Sequence, residues 1–282
     1  MPDRTILRWE PILPRDEPRG ELDVTWRWKL VVGRAKDCDV VLNHKSIPKQ
    51  HGHFIRHCNE WVVENYEGSN GIYIKGRRIL LEPVNGEDVD FAMLVRFAFH
   101  QAPMGPEEAA FREAIRAAPT DDSRYLVYAD WLLERDDELG RLMVAPAPVA
   151  ARYLGQLQSP GIHVTWRHGF FGAVRVESSK GLFQKGTVFT EVLAHPLAAF
   201  LTALEADAVA LEDETPECSD EHWVDYLFDS LLTNPPPTLR QLKVRLPKGK
   251  ALRFQGELKA LKLKLPLLQT QWETLFTDGA LA

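Results

Sequence analysis

The chain has 282 residues, and 34 Lys and Arg against 40 Asp and Glu give a formal net charge of −6. Its 45% hydrophobic and 26% charged residues are typical of globular proteins and exclude a disordered chain. No apolar run approaches the ~20 residues of a membrane span, and the mild acidity argues against a general nucleic-acid binder. The three scattered cysteines, and a start without the pattern of a signal peptide, predict a cytoplasmic protein without a disulfide framework.

The charges are distributed unevenly along the chain. Residues 1–100 hold 15 basic and 15 acidic side chains, residues 101–140 hold 4 and 10, and residues 141–282 hold 15 and 15. Together with a Pro-containing linker at Pro103–Pro106, this shift predicts three domains, over residues 1–102, 103–143 and 144–282. The nine basic residues of Arg240–Lys264 suggest a charged surface more than a nucleic-acid site, because the aromatic residues that stack on bases are nearly absent there.

Short alternating runs separated by turn signals fill the first hundred residues. Pairs such as Asn85-Gly86 supply the positive φ angles that tight turns need. Many short strands at regular spacing predict a β-sandwich of two antiparallel sheets, with function on the loops at one end. The predicted strands are Ile6–Ile12, Val24–Val32, Val40–Leu42, Gly52–Arg56, Trp61–Glu64, Gly71–Ile74, Arg78–Leu81 and Leu94–Phe99.

Five motifs in this segment occur in a characteristic order and spacing. They are Val32-Gly33-Arg34, Asp39–Leu42, Ser46–Gly52, Asn70–Gly76 and Asn85–Val89. In this order they resemble the forkhead-associated (FHA) domain over about residues 4–100. The resemblance implies recognition of phosphothreonine peptides by loops at one end of the sandwich. A phosphate with nearly two negative charges requires a cation and short hydrogen-bond donors.

The resemblance also implies a role for individual residues. Arg34 matches the arginine that faces the phosphate, Lys49 matches a second basic position, and Asn70 matches the asparagine that holds the main chain of the peptide. Structural roles are implied for Gly33, Gly71 and His51, the last as a brace between loops.

Three departures fall on the donors of the family pattern. Pro48 occupies the position of the phosphate-binding serine, Gly68 that of a second serine, and Ile72 that of a threonine. Each missing donor would weaken binding by about tenfold or more. Ser46 and Ser69 lie nearby in sequence as candidate replacements. Two alternatives therefore stay open, a retained phosphothreonine site or an FHA shell that makes unphosphorylated or purely structural contacts.

The sequence also contains a candidate metal-binding set, His51, His53, His57 and Cys58. No second Cys/His pair stands at matching spacing, so we expect neither a metal nor a cofactor.

The acidic middle segment predicts a helical hairpin. One helix is predicted over Pro106–Ala118 and a second over about Ser123–Glu134, with a cap at Thr120–Asp122. The motifs Pro119–Asp122, Tyr128-Ala129-Asp130-Trp131-Leu132 and Gly140 resemble the bacterial repeat-companion domain over about residues 107–143. That family usually precedes leucine-rich-repeat-like segments.

The C-terminal region combines helical stretches with leucine-spaced strands. Helices are predicted at Thr187–Ala194 and Asp220–Leu232, and strands at Leu201–Leu204, Leu239–Leu246 and Leu258–Leu265. This order resembles a short, degenerate leucine-rich repeat. The predicted fold class is therefore a multidomain chain, with an all-β sandwich, a helical hairpin and an α/β repeat-like region.

The sequence contains no phosphate-cradling glycine loop, nucleophile motif or paired metal motif, and no enzyme is expected. We expect a signalling adaptor whose partner carries phosphothreonine or acidic residues. A bacterial Ser/Thr kinase or its substrate is implied by the resemblance. The alternative is a structural or assembly protein that uses the FHA shell without phosphopeptide binding.

Overall fold

A computed structural model describes residues 4–12, 19–57, 60–66, 68–177, 187–207, 220–245 and 254–268. Cys58 of the candidate metal-binding set and Leu246 of a predicted strand lie outside these ranges. The chain divides into two compact units, Met1–Gly105 and Pro106–Ala282. Their boundary falls within the predicted linker, and the helical segment predicted over 103–143 belongs largely to the second unit. Within the described ranges, no helix combines the length and the apolar character needed to cross a bilayer.

The described part of the first unit is built from β-strands arranged in two sheets. One sheet has the order β2-β1-β11-β10-β7-β8 and the other the order β4-β3-β5-β6-β9. The strands are β1 Arg4–Pro11, β2 Gly20–Asp23, β3 Lys29–Gly33, β4 Val40–Val41, β5 Gly52–His57, β6 Glu60–Asn65, β7 Ile72–Ile74, β8 Arg77–Ile79, β9 Leu81–Pro83, β10 Val89–Phe91 and β11 Val95–Ala102.

The core of this unit lies between the two sheets. In β3, Leu30 and Val32 are fully buried while Lys29 and Val31 are partly exposed, as the two-residue period of a strand requires. Phe54 of β5 lies at the centre, and its ring packs against Phe91 at 5.6 Å and against Phe97 at 5.7 Å between ring centroids. This aromatic cluster fixes the register of the strands whose ends carry the loops described below.

The continuous strand predicted over Val24–Val32 is wrong in its first half. The chain turns at Thr25 and Trp26, and β3 begins only at Lys29. The carboxylate of Asp23 causes this turn, because its Oδ1 accepts the main-chain N–H of Thr25 at 2.9 Å and the Thr25 hydroxyl at 2.6 Å. Local side-chain hydrogen bonds therefore override the alternating pattern.

The described part of the second unit combines helices with one four-stranded sheet, in the order β12-β13-β14-β15. Short 3-10 turns are found at Ala151–Tyr153, Gly155–Gln158, Pro196–Ala198 and Pro266–Leu268. The main elements are α1 Pro106–Ala117, α2 Asp122–Leu133, α3 Glu138–Val144, α4 Ala147–Ala150, β12 Ile162–Arg167, β13 Phe170–Glu177, α5 Thr187–Ala194, β14 Ala203–Asp207, α6 Asp220–Thr233, β15 Gln241–Arg245 and α7 Gln255–Lys264.

The helical hairpin α1–α2 agrees with the sequence prediction. Asp121 caps α2 by accepting the N–H of Ser123 at 3.1 Å. The buried Tyr125 then packs against Phe200, with ring centroids 5.8 Å apart, and Arg167 donates to the Pro119 carbonyl at 2.9 Å. These contacts join the helices to the sheet that follows them in the chain.

Strands β13, β14 and β15 pair in parallel, and Val174, Leu204 and Leu242 lie side by side in register. The helices α5 and α6 connect them, as parallel strands require a crossover. Two of the three predicted leucine-spaced segments thus contain parallel strands. The degenerate leucine-rich repeat itself stays a prediction.

The third leucine-spaced segment, Leu258–Leu265, is a correction, because it lies mostly in helix α7 and not in a strand. Leu261 and Leu265 are buried and lie four residues apart, on one face of a helix, while Leu263 is 86% exposed. The Leu-Lys alternation has the period of a strand, but Leu, Lys and Ala also have high helix propensity. Burial of Leu261 and Leu265 on one face favours the helix over the strand.

Candidate functional site

Main-chain hydrogen bonds tie the loops after β3 and β4 together at one end of the sandwich. The N–H of Arg34 donates to the Pro48 carbonyl at 2.8 Å, and the N–H of Ala35 donates to the Lys49 carbonyl at 3.0 Å. The two loops approach so closely that a Cβ added to Gly33 would lie 2.2 Å from the Lys49 oxygen. A side chain at residue 33 would therefore collide with the neighbouring loop, and glycine avoids this collision.

Arg34 and Asn70 each donate a hydrogen bond to the loop between β4 and β5. The Nε of Arg34 donates to the Ile47 carbonyl at 3.1 Å, and the Nδ2 of Asn70 donates to the Ser46 carbonyl at 2.5 Å. Both side chains are exposed. The adjacent carbonyls of Ser46 and Ile47 thus link two of the predicted site residues, which stand 36 positions apart in sequence.

Arg34 and Lys49 line one open depression of about 610 Å³, which we call the cationic depression. Its lining consists of Arg34, Ala35, Lys36, Asp37, Lys49 and Gln50. Arg34 and Lys49 are both exposed, and neither forms an ion pair with any described residue. The structure therefore brings the two predicted cations together on a solvent-facing surface.

The two serines considered as replacement donors differ in position. The hydroxyl of Ser69 contacts Asn65 Oδ1 and accepts the N–H of Gly71 at 3.1 Å, and the residue is 7% exposed. Ser69 therefore braces its own loop and presents no hydroxyl to a ligand. Ser46 is half-buried, and its hydroxyl has no hydrogen-bond partner among the described residues.

The three departures from the family pattern also differ in consequence. Ile72 is fully buried in the core, so a side chain at this position does not reach a ligand. Gly68 is exposed, with φ +78° and open space around it. Pro48 offers neither a hydroxyl nor an N–H, and its carbonyl already accepts from Arg34. Pro48 is the departure that removes a donor next to the cations.

His51, immediately before β5, contacts the loop that carries Asn70 and Gly71 from within the core. It is fully buried, and its Nε2 donates to the Gly71 carbonyl at 3.0 Å. Its ring packs against Phe91 with centroids 5.2 Å apart. Gly71 itself has φ +92°, a conformation that glycine adopts without strain. In the structure, His51 and Gly71 are thus joined by a buried hydrogen bond.

Acidification is expected to destabilise the first unit through His51. Burial lowers the pKa of His51 below its usual value, and a second proton would go to Nδ1, which is buried without an acceptor among the described residues. The unfolded chain therefore binds this proton more readily, so the stability present above about pH 6.5 decreases as the pH falls below that value. Denaturant midpoints measured between pH 7.5 and 6 should fall, and a His51→Asn variant should show a smaller decrease. An equal decrease in both proteins would contradict the role of His51.

Two charged residues of the cationic depression were not predicted from the sequence. Lys36 and Asp37 occupy the turn after Arg34, and both are exposed. The only sequence signal was their proximity to the Gly33-Arg34 motif. Charged residues are common in exposed turns, so this signal was not specific.

The comparison with known proteins agrees with this geometry. A family model described as the FHA domain matches residues 30–89, a range that includes Arg34, Lys49 and Asn70. None of the curated proteins compared with the chain matches it.

Solved structures similar to the chain include other FHA domains. The FHA domain of CT664 from Chlamydia trachomatis is 22% identical and covers 35% of this chain and 98% of its own, with a TM-score of 0.29. FHA-1 of Rv1747 from Mycobacterium tuberculosis is 21% identical and covers 36% of this chain and 100% of its own, with a TM-score of 0.30. The FhaA FHA domain, solved in complex with the intracellular domain of Rv3910, is 10% identical and covers 34% of this chain and 99% of its own, with a TM-score of 0.28. The family match places an FHA domain at the N-terminal end of the chain, within the first unit.

Proposed function

We propose that this chain is a non-enzymatic interaction adaptor whose FHA domain binds a phosphothreonine-containing segment of a partner protein. One observation carries the proposal. Arg34 and Lys49 are exposed in the same depression, without an acidic partner among the described residues, and Asn70 is tied to Arg34 through one loop.

The chemistry of the side chains fits a phosphate. A phosphothreonine carries about −1.5 to −2 charges at neutral pH and three acceptor oxygens. The Nε of Arg34 is held by the Ile47 carbonyl, so the terminal nitrogens of the guanidinium remain to donate to an anion. Lys49 adds a second positive charge. The Oδ1 of Asn70 accepts from no described residue and can accept an N–H from the peptide main chain.

The missing hydroxyl at Pro48 predicts a weaker site than the full family pattern would give. A hydrogen bond from a neutral donor to a charged acceptor contributes roughly 1.5–3 kcal/mol, which corresponds to at least about tenfold in affinity. The remaining binding must come mainly from the cations. The interaction is therefore expected to be salt-sensitive.

The partner class is proposed from the FHA domains that resemble this one. One of these structures concerns phosphothreonine-dependent FHA domain interactions, and another holds FhaA in complex with the intracellular domain of Rv3910. For this chain we propose a partner phosphorylated on threonine, either a Ser/Thr kinase or one of its substrates. The second unit would then offer a separate surface for another protein.

The position of Pro48 favours a second candidate function. If the loss of this donor abolishes phosphate recognition, the FHA shell would serve in assembly, through contacts that do not require phosphorylation. This function predicts that a partner binds equally well before and after phosphatase treatment.

A titration of the full chain separates the two functions. The probes are a degenerate peptide library with a central phosphothreonine and the matching library with threonine, both fluorescently labelled and followed by anisotropy. Saturable binding of the phosphorylated library, at least about tenfold tighter than that of its counterpart, would support the phosphopeptide function. Equal binding of the two libraries, or no binding of either, would contradict it.

A further inference from the structure

The cationic depression holds a third cation that the FHA motif does not assign. Lys36 lines the depression together with Arg34 and Lys49, and all three side chains are exposed. Asp37 lies in the same lining, so the formal charge of the depression is three positive against one negative, or +2. This charge balances that of one dianionic phosphate.

The basic residues around the depression differ from many others of the first unit. Among the described residues of this unit, six Lys and Arg side chains form ion pairs, and they are Arg4, Arg8, Arg27, Lys75, Arg77 and Arg96. The three cations of the depression pair with no acidic side chain among the described residues, although Asp37 lies beside them. Three positive charges that share an open surface, without an ion pair to hold them and with a net excess of two, attract an anion.

The backbone at the same place also offers donors. The N–H of Cys38 donates to the Ala35 carbonyl at 3.2 Å and closes a turn over residues 35–38. The two central amides of this turn, those of Lys36 and Asp37, donate to no described acceptor. Successive free amides in a turn are a known kind of anion-binding element.

We infer that Lys36 and the amides of its turn bind the phosphate in place of the hydroxyl that Pro48 lacks. This inference rests on the proposed phosphopeptide function and extends it to a residue and a turn that the family pattern leaves unassigned. The phosphate is then held by three cations and main-chain amides. The carboxylate of Asp37 repels the anion, so Asp37 weakens phosphate binding while its neighbour Lys36 strengthens it.

The test uses the full chain and the degenerate phosphothreonine library in anisotropy titrations. Lys36→Ala should weaken binding by about tenfold, because one charged donor to the phosphate is lost. Lys36→Arg should remain within about threefold of the natural chain, because the charge is kept. Asp37→Asn should bind several-fold more tightly, because a repelling carboxylate is removed.

The matched control is Lys45→Ala. Lys45 is exposed and carries the same charge on the neighbouring loop, but it does not line the depression. This variant should bind within about twofold of the natural chain. A titration series in NaCl adds a second readout, since Lys36→Ala should also reduce the salt dependence of binding, which a merely structural role would leave unchanged.

The outcomes separate this inference from the proposed function. If the natural chain binds the library and Lys36→Ala binds equally well, the inference is wrong while the phosphopeptide function stands. If Lys36→Ala and Asp37→Asn both weaken binding, the turn acts only structurally and the inference is also wrong. If the natural chain does not bind the phosphorylated library, both are overturned.

Discussion

Arg34→Ala is expected to reduce the affinity for the phosphothreonine library by about 100-fold or more. The guanidinium is the one group in the depression that can donate two parallel hydrogen bonds to a phosphate, and each such bond is worth about 1.5–3 kcal/mol. Arg34→Lys keeps the charge but loses the planar pair of donors, so an intermediate loss of about tenfold is expected. Affinities for the three proteins, measured under one salt condition, test this order.

The fold should survive the Arg34 substitution. The side chain is exposed, and Nε forms its one hydrogen bond to a described residue, the Ile47 carbonyl. We therefore expect a change of less than about 1 kcal/mol in the free energy of unfolding. Arg8→Ala is the matched control, because Arg8 is exposed and pairs with Glu21 at 3.2 Å away from the depression. If Arg34→Ala binds as tightly as Arg8→Ala, Arg34 does not recognise the phosphate.

Arg112→Met is expected to destabilise the second unit by about 3–5 kcal/mol. Arg112 and Glu108 are each 2% exposed and form a buried ion pair within α1. The Tyr128 hydroxyl of α2 accepts from Arg112 Nε at 3.1 Å and donates to Glu108 at 2.8 Å. Burial raises the pKa of Tyr128, so its hydroxyl stays protonated as this donor. Removal of the guanidinium would leave the Glu108 carboxylate buried without this cation, which is the costly case for a buried pair.

Hydrogen exchange of the full chain, followed by mass spectrometry, would locate this effect on α1 and α2. The control is Arg116→Met on the same helix, because Arg116 pairs with the largely exposed Glu113 at 2.9 Å. An exposed pair contributes about 0–1 kcal/mol, so this variant should keep its protection. The double variant Glu108→Leu with Arg112→Met removes both charges and should recover much of the loss. Equal protection in Arg112→Met and Arg116→Met would contradict the role of the buried pair.

The sandwich could be predicted from local patterns because strands and tight turns leave short-range signals. The alternation in Lys29–Gly33 and the Asn85-Gly86 turn follow from the two-residue period and from the positive φ that glycine tolerates. The strand predicted to begin at Val24 was wrong, because the Asp23 carboxylate accepts a hydrogen bond from the N–H of Thr25 and the chain turns there. The strand predicted from the Leu-Lys alternation was wrong, because over so few residues the same apolar spacing is compatible with a strand and with the helix α7 that forms.

The candidate site was predictable in part. Arg34, Lys49 and Asn70 stand out because their motifs occur in one order, and the structure brings their loops to one end of the sandwich. Ser69 was a reasonable candidate by its place in sequence. In the structure its hydroxyl is used within its own loop, because it lies inside the turn that leads to Gly71.

The order of the short motifs by itself determined the FHA domain and singled out Arg34 and Lys49 as its candidate cations, since side-chain type and spacing are local properties of the chain. Only the tertiary structure decided which of the nearby polar residues share a surface. Lys36 joins the cations because the close approach of the loops at Gly33 sets the turn after Arg34 beside Lys49. Such proximity arises from the packing of strands distant in sequence, and no local pattern encodes it.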